Sequence, residues 1–202
     1  ASRYQGGSMD RLNTTYLDLS TAAQIHEAFF EDELVPSVLL SDFLSIDFLP
    51  IVKKEVDLLS FTIDDAPLYH SYHVADLPGA LAELFGSSAF LDFVSGVVGK
   101  KVIGVDAKTY LFSSGDYTLL HDNVVQKPGI DLVLDLTAGW NADFGGSVVY
   151  VDGNGEFKSI PPASNSLTLA ERKGCAQKFT QYINHLATKK RYLILGSLRV
   201  HA

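Results

Sequence analysis

Val102-Ile-Gly-Val-Asp-Ala-Lys-Thr-Tyr-Leu-Phe112 opens a series of short β-branched or alternating runs that fills the second half of the chain. Six more follow: Asp131 to Leu136, Ser147 to Val151, Phe157 to Ile160, Ser166 to Ala170, Phe179 to Ile183 and Arg191 to Val200. Gly, Pro or Asn punctuates them, as turns between strands require. Seven strands so spaced, with no helix of useful length between most of them, predict a sandwich or barrel and disfavour a parallel βαβ fold.

Before Lys101 the pattern changes, and the first hundred residues read mainly as helix. Thr21-Ala-Ala-Gln24 has capping-box spacing, and Ile25, Ala28 and Phe29 recur at helical intervals before Val35-Pro36, which predicts a helix over 21–33. Pro78-Gly-Ala-Leu-Ala-Glu-Leu-Phe85 and Ser87-Ser-Ala-Phe-Leu-Asp-Phe-Val94 form two more helical stretches, separated by Gly86 and closed by Gly96 or Gly99. The expected architecture is α+β: a β-core over 101–202 with a helical buttress over 15–100 packed on one sheet. Residues 9–202 are read as one domain, with Met9 as the native start and residues 1–8 as a cloning remnant.

A chain of 202 residues, 47% hydrophobic and 20% charged, is long enough for one core of its own. Its greasiest runs carry Asp, and none approaches the roughly 18 apolar residues of a membrane span. Sixteen Lys and Arg against twenty-four Asp and Glu give a net charge of −8 with no basic run, which argues against nucleic acid as a direct partner. The single cysteine, Cys175, closes no internal disulfide, so a reducing compartment is expected. That points to the cytoplasm, with the nucleus left open.

Read in order, the β-half contains Gly115-Asp-Tyr-Thr-Leu-Leu-His121-Asp122-Asn123, then Trp140, Gly145-Gly146, Pro162, Asn165-Ser-Leu167 and Arg191-Tyr-Leu-Ile-Leu-Gly196. From about residue 70 to 198 this string resembles the double-stranded β-helix, the jelly-roll or cupin-like barrel, of the Fe(II)/2-oxoglutarate dioxygenases. The similarity is to the prolyl-hydroxylase branch that includes the ribosomal-protein hydroxylases linked to translation termination. In that family a His-x-Asp pair supplies two iron ligands, a distal His supplies the third, and an Arg about eleven residues later holds the tail of 2-oxoglutarate. Placing Arg191 on that Arg puts the ligand positions at His121, Asn123 and Thr180. The resemblance also matches Tyr110 to a tyrosine that helps Arg191 hold the keto acid.

Oxygen-activating Fe(II) needs two imidazoles and one carboxylate on a single face. An amide at Asn123 and a hydroxyl at Thr180 are weak donors for it, so two of three ligands are lost. Asp122 and His185 are the substitutes within reach in sequence. Adjacent residues of an extended segment point apart, however, and His185 lies five positions past Thr180, roughly 16 Å along a strand and on the opposite face. Arg191 opens an apolar strand, where a buried guanidinium needs a carboxylate, either a ligand's or an internal one such as Asp131 or Asp135.

The leading reading is therefore a catalytically degenerate dioxygenase-like domain, without cofactor, acting in binding, scaffolding or recognition of a protein partner. Its runner-up is an active prolyl-hydroxylase-type enzyme using Fe(II) and 2-oxoglutarate through His121, Asp122 and His185. A third reading is a cupin-like binder of a small carboxylate through Arg191. The related hydroxylases carry a second, non-catalytic copy of the same fold, and an excised second copy would account for both substitutions. His70 and His73 are read as polar residues that could line a pocket mouth, Trp140 as packing, and Gly145-Gly146 as a tight turn into a strand. Glu31-Asp32-Glu33 and Asp64-Asp65 are read as solvated charge.

Overall fold

The computed structural model describes residues 11–66, 68–120 and 126–201. Four α-helices lie in the first half: α1 (Leu19–Phe29), α2 (Leu49–Asp57), α3 (Gly79–Phe85) and α4 (Ser88–Val98). Helix α1 begins earlier than Thr21 because the Asp18 carboxylate accepts the Ser20 backbone N–H at 2.7 Å. It ends at Phe29 rather than residue 33, and Asp32 then takes the N–H groups of Leu34 and Val35 in a turn. Ser87 caps α4 by accepting from the Phe90 N–H, and Gly99 stops it in the left-handed conformation at φ +65°. No single helix among the described residues is long and apolar enough to cross a membrane.

The expectation that the first hundred residues are mainly helical is corrected by three strands among them: β1 (Ser37–Leu40), β2 (Thr62–Ala66) and β3 (His70–Ala75). All three lie in the large sheet, β2 at its edge beside β3 and the other two with distant partners. Strand β1 pairs with Ser166–Arg172 (β9), and β3 with Val102–Phe112 (β4). The remaining strands are β5 (Tyr117–Thr118), β6 (Gly129–Asp135), β7 (Val148–Val151), β8 (Phe157–Ile160), β10 (Gln177–Thr180) and β11 (Arg191–Val200). The run expected over Phe179 to Ile183 is shifted to β10, and Ile183 keeps only an isolated bridge to Gly145.

The large sheet runs β1-β9-β6-β11-β4-β3-β2, with β5 attached to β3, and the small sheet runs β10-β7-β8. All of these pairings are antiparallel. Side chains alternate across the large sheet with period two. On β6, Leu132 and Leu134 join the helices in one core with Phe29, Phe43 and Phe90. Val133, between them, points the other way into a second core with Phe112, Val148, Tyr150 and Leu193. The second core is the barrel interior, and the same alternation turns Asp131 and Asp135 of β6 into it.

Candidate functional site

The barrel interior has two differently charged ends. At one end Arg191, only 1% exposed, opens β11 opposite Phe112 of β4. Its Nη2 lies 3.2 Å from Asp135 Oδ2, and its Nη1 donates to the Gly146 carbonyl. The guanidinium also sits 5.9 Å from the centre of the Trp140 ring. Burial lowers the Arg191 pKa and Asp135 opposes that shift. A guanidinium is not deprotonated in proteins, so the group stays charged. Asp135 is itself held in place, accepting the backbone N–H groups of Thr137 at 2.9 Å and Ala163 at 3.0 Å. Of the two internal partners the sequence offers Arg191, the fold selects Asp135.

Gly145 and Gly146 make this end possible. Both hold positive φ, +78° and +82°, and a Cβ on Gly146 would fall 3.0 Å from Arg191 Nη1. They form the tight turn into β7 that the sequence suggests. Trp140 packs as expected, edge-on to Phe144, with its indole N–H donating to the Gly145 carbonyl at 3.0 Å.

At the other end a cavity of about 970 Å³ opens between the sheets. Tyr72, Tyr110 and Phe112 form an aromatic wall of rings 5.2 to 6.4 Å apart. Thr118 and Thr180 contribute hydroxyl-bearing side chains, and Lys108, Asp131, Arg172 and Lys178 contribute charge. Tyr110 therefore lines the cavity, whereas Arg191, which the resemblance pairs with it, does not. Burial pushes the phenols of Tyr72 and Tyr110 above the ordinary value, and nearby Asp64 adds to both shifts.

Thr180 closes β10 and is 3% exposed, with its backbone N–H donating to Thr118 Oγ1 at 2.5 Å. His185 lies beyond the strand in an exposed turn. His121, Asp122 and Asn123 lie outside the described residues. His70 and His73 do not converge: His70 bonds Asp64 at 2.8 Å, whereas His73 Nδ1 lies 3.8 Å from Asp116. Asp64 and Asp32 are not merely solvated charge. Asp64 also accepts from the Tyr72 hydroxyl at 3.1 Å, and Asp32 holds Lys158 at 2.5 Å.

Among the described residues no group of three His, Cys, Asp or Glu side chains is placed to hold a metal ion. The donor matched to the distal ligand is a buried hydroxyl, and the cation matched to the keto-acid tail already has an internal carboxylate. A threonine hydroxyl is a poor donor for Fe(II), and the positions matched to the other two ligands lie outside the described residues.

A family model described as oxoglutarate and iron-dependent oxygenase degradation C-term matches residues 64–202. The chain belongs to that family. Members are thus related to Fe(II)/2-oxoglutarate oxygenases, and prolyl 3-hydroxylase OGFOD1 of Xenopus laevis is 25% identical over 89% of this chain and 43% of its own length. The Mus musculus protein of the same name is 34% identical over 37% of this chain and 14% of its own. This family member thus spans less than half the length of the curated relatives it matches.

Solved structures of similar fold include a Pseudomonas putida prolyl-4-hydroxylase, with TM-score 0.63, 12% identity, and coverage of 90% of this chain and 100% of that one. Another is a Trichoplax adhaerens prolyl hydroxylase in complex with a hypoxia inducible factor oxygen degradation domain peptide, with TM-score 0.66, 14% identity and coverage of 89% of each chain. A 2OG-Fe(II) oxygenase family oxidoreductase from Burkholderia pseudomallei has TM-score 0.65 and 16% identity over 100% of this chain and 94% of that one. The fold of this C-terminal family member is accordingly the double-stranded β-helix.

The cluster of Asp131, Arg172 and Lys178 has no counterpart among the site residues expected from sequence. A partial signal was present: Lys178 lies two positions before Thr180 and shares its strand face, and Asp131 interrupts an otherwise apolar strand.

Proposed function

We propose that this barrel is a catalytically silent member of the dioxygenase fold, serving binding or partner recognition instead of hydroxylation. The observation that carries the reading is the Arg191–Asp135 pair. A cation that would receive the keto-acid tail is buried against an internal carboxylate with no place in the open cavity. Thr180 supports it from the other side, since a threonine stands where the resemblance requires an imidazole.

On this reading the chain corresponds to the second, non-catalytic copy of the fold in the related hydroxylases, and their prolyl hydroxylation resides outside it. A protein partner in the cytoplasm or nucleus fits an acidic chain of net charge −8 that has no basic run for nucleic acid.

The test is an anaerobic titration with Mn(II), a redox-inert stand-in for Fe(II), with and without 2-oxoglutarate, following affinity and Tm. The expected result is no tight, 2-oxoglutarate-dependent metal binding. Tight binding would overturn the reading and favour the active prolyl-hydroxylase-type alternative, whose ligand set would be His121, Asp122 and His185.

A further inference from the structure

We infer that the free edge of β2 is a docking strand for an extended, basic segment of a protein partner. The inference rests on the reading of the barrel as a recognition module and names the partner's chemistry. Strand β2 ends the large sheet, paired on one side with β3. In antiparallel pairing alternate residues turn their N–H and C=O groups away from the partner strand, so the outer edge of β2 presents a row of them. Among the described residues no group outside β3 bonds to the backbone of Thr62–Asp65. The small sheet provides a contrast. At its edge strand β10 the Gln126 side-chain amide accepts the Lys178 N–H at 3.0 Å and donates to the Lys178 carbonyl at 2.8 Å, while Thr118 accepts the Thr180 N–H. That edge is closed from within, whereas the β2 edge is left for another chain.

Burial does not account for β2 either. Thr62–Asp65 are exposed, Ile63 to 69%, and Leu68 in the turn that follows to 80%. A strand added beside β2 would satisfy its outward backbone groups and cover Ile63. Charge selects the kind of strand. From Leu58 to Asp76 the sequence holds Asp64, Asp65 and Asp76 and no Lys or Arg. Asp64 lies on the face of His70 and Tyr72 and bonds both. Lys108 of β4 acts on the Asp64 carboxyl as the weakest of several influences, the His70 hydrogen bond being the largest. Period two sends Asp65 and Ile63 to the opposite face, where Asp65 has no ion-pair partner among the described residues.

A second copy of this acidic chain would bring Asp against Asp along the new pairing, and like charges across a strand pair are destabilising. A strand carrying Lys or Arg gains from the same positions. The carboxylates of β2 therefore discourage pairing with itself and admit a basic partner.

The experiment titrates the 202-residue chain with a capped hexapeptide of alternating valine and lysine, followed by fluorescence anisotropy and amide NMR shifts. Its valine–glutamate counterpart and a fully N-methylated form of the lysine peptide serve as controls. The basic peptide is expected to bind and to shift the β2 amides, and the other two are not. Asp65→Lys is expected to weaken binding by about tenfold, with Asp65→Asn intermediate. The Asn variant keeps the readout should the lysine disturb β2. No binding, equal binding of the N-methylated peptide, affinity unchanged in both Asp65 variants, or shifts confined to residues outside β2 and β3 would each overturn the assignment. So would a dimer of the chain, seen by sedimentation, whose interface protects the β2 amides. Those outcomes leave the metal-free reading of the barrel standing, since the Mn(II) titration decides that separately.

Discussion

Arg191 and Asp135, 56 residues apart in sequence, meet inside the barrel as a buried ion pair with Nη2 3.2 Å from Oδ2. Removing one member of such a pair strands the other charge. Arg191→Ala is expected to cost about 3–5 kcal/mol of unfolding free energy, measured by urea denaturation. In the double variant Arg191→Met/Asp135→Asn the amide needs no counter-charge and its single oxygen keeps one of the two N–H groups of Thr137 and Ala163, so part of the loss should return. Equal stability of the single and double variants would argue against the pair as the determinant.

Restoring the missing donors should restore metal affinity. In the double variant Asn123→Asp/Thr180→His, the positions matched to the family's ligands regain a carboxylate and an imidazole beside His121. Thr180 borders the cavity, which leaves space for the larger ring. Mn(II) binding by electron paramagnetic resonance is expected in the double variant and absent in either single one. A double variant as inert as the starting chain would mean that the matched positions do not converge.

Gly145 and Gly155 both hold positive φ, +78° and +82°, but Gly145 combines it with ψ −152°, a region open essentially to glycine alone. A Cβ at Gly145 would stand 2.2 Å from the Tyr182 carbonyl oxygen, whereas at Gly155 nothing lies within 4 Å. Gly155→Ala should cost about 1–2 kcal/mol, and Gly145→Ala at least ~2 kcal/mol more. Matching urea midpoints for the two variants would mean that both the contact and the backbone strain relax freely.

The Asp64 carboxyl is held below the ordinary carboxylate range by its hydrogen bond to His70, with Tyr72 adding to the shift and desolvation opposing it. A folded-state value below the unfolded one means that the contribution to stability is present above about pH 4 and is lost as pH falls through the folded value. Between about pH 5 and pH 3, Tm should therefore fall more steeply in the starting chain than in Asp64→Asn. Parallel slopes would show that the contact contributes nothing to acid stability.

Local pattern by itself determined the β-half and two of the helices. Strands β4, β8 and β11 occupy the residues their alternation predicts, and α3 and α4 begin and end at the Pro, Ser and Gly residues that punctuate them. These signals are intrinsic to the segment: period-two burial for a strand, a side-chain cap and a left-handed glycine for a helix. The order of motifs along that half also carried the family resemblance.

Only tertiary structure decided the rest. Thr62–Ala66 is almost wholly exposed and shows no buried face, so nothing local marks it as a strand; its place comes from pairing with β3. Helix α2 buries only Val52 and Val56 and announces itself as weakly. Sequence could name Asp131 and Asp135 as partners for Arg191 but could not choose between them. The register of β11 against β6 sets Leu193 beside Asp135 and Ser197 beside Asp131, and so brings the second carboxylate to Arg191 and leaves the first to Arg172 and Lys178. Charge pairing across a barrel depends on register between strands far apart in the chain, and a shift of one residue would turn those side chains to the other face.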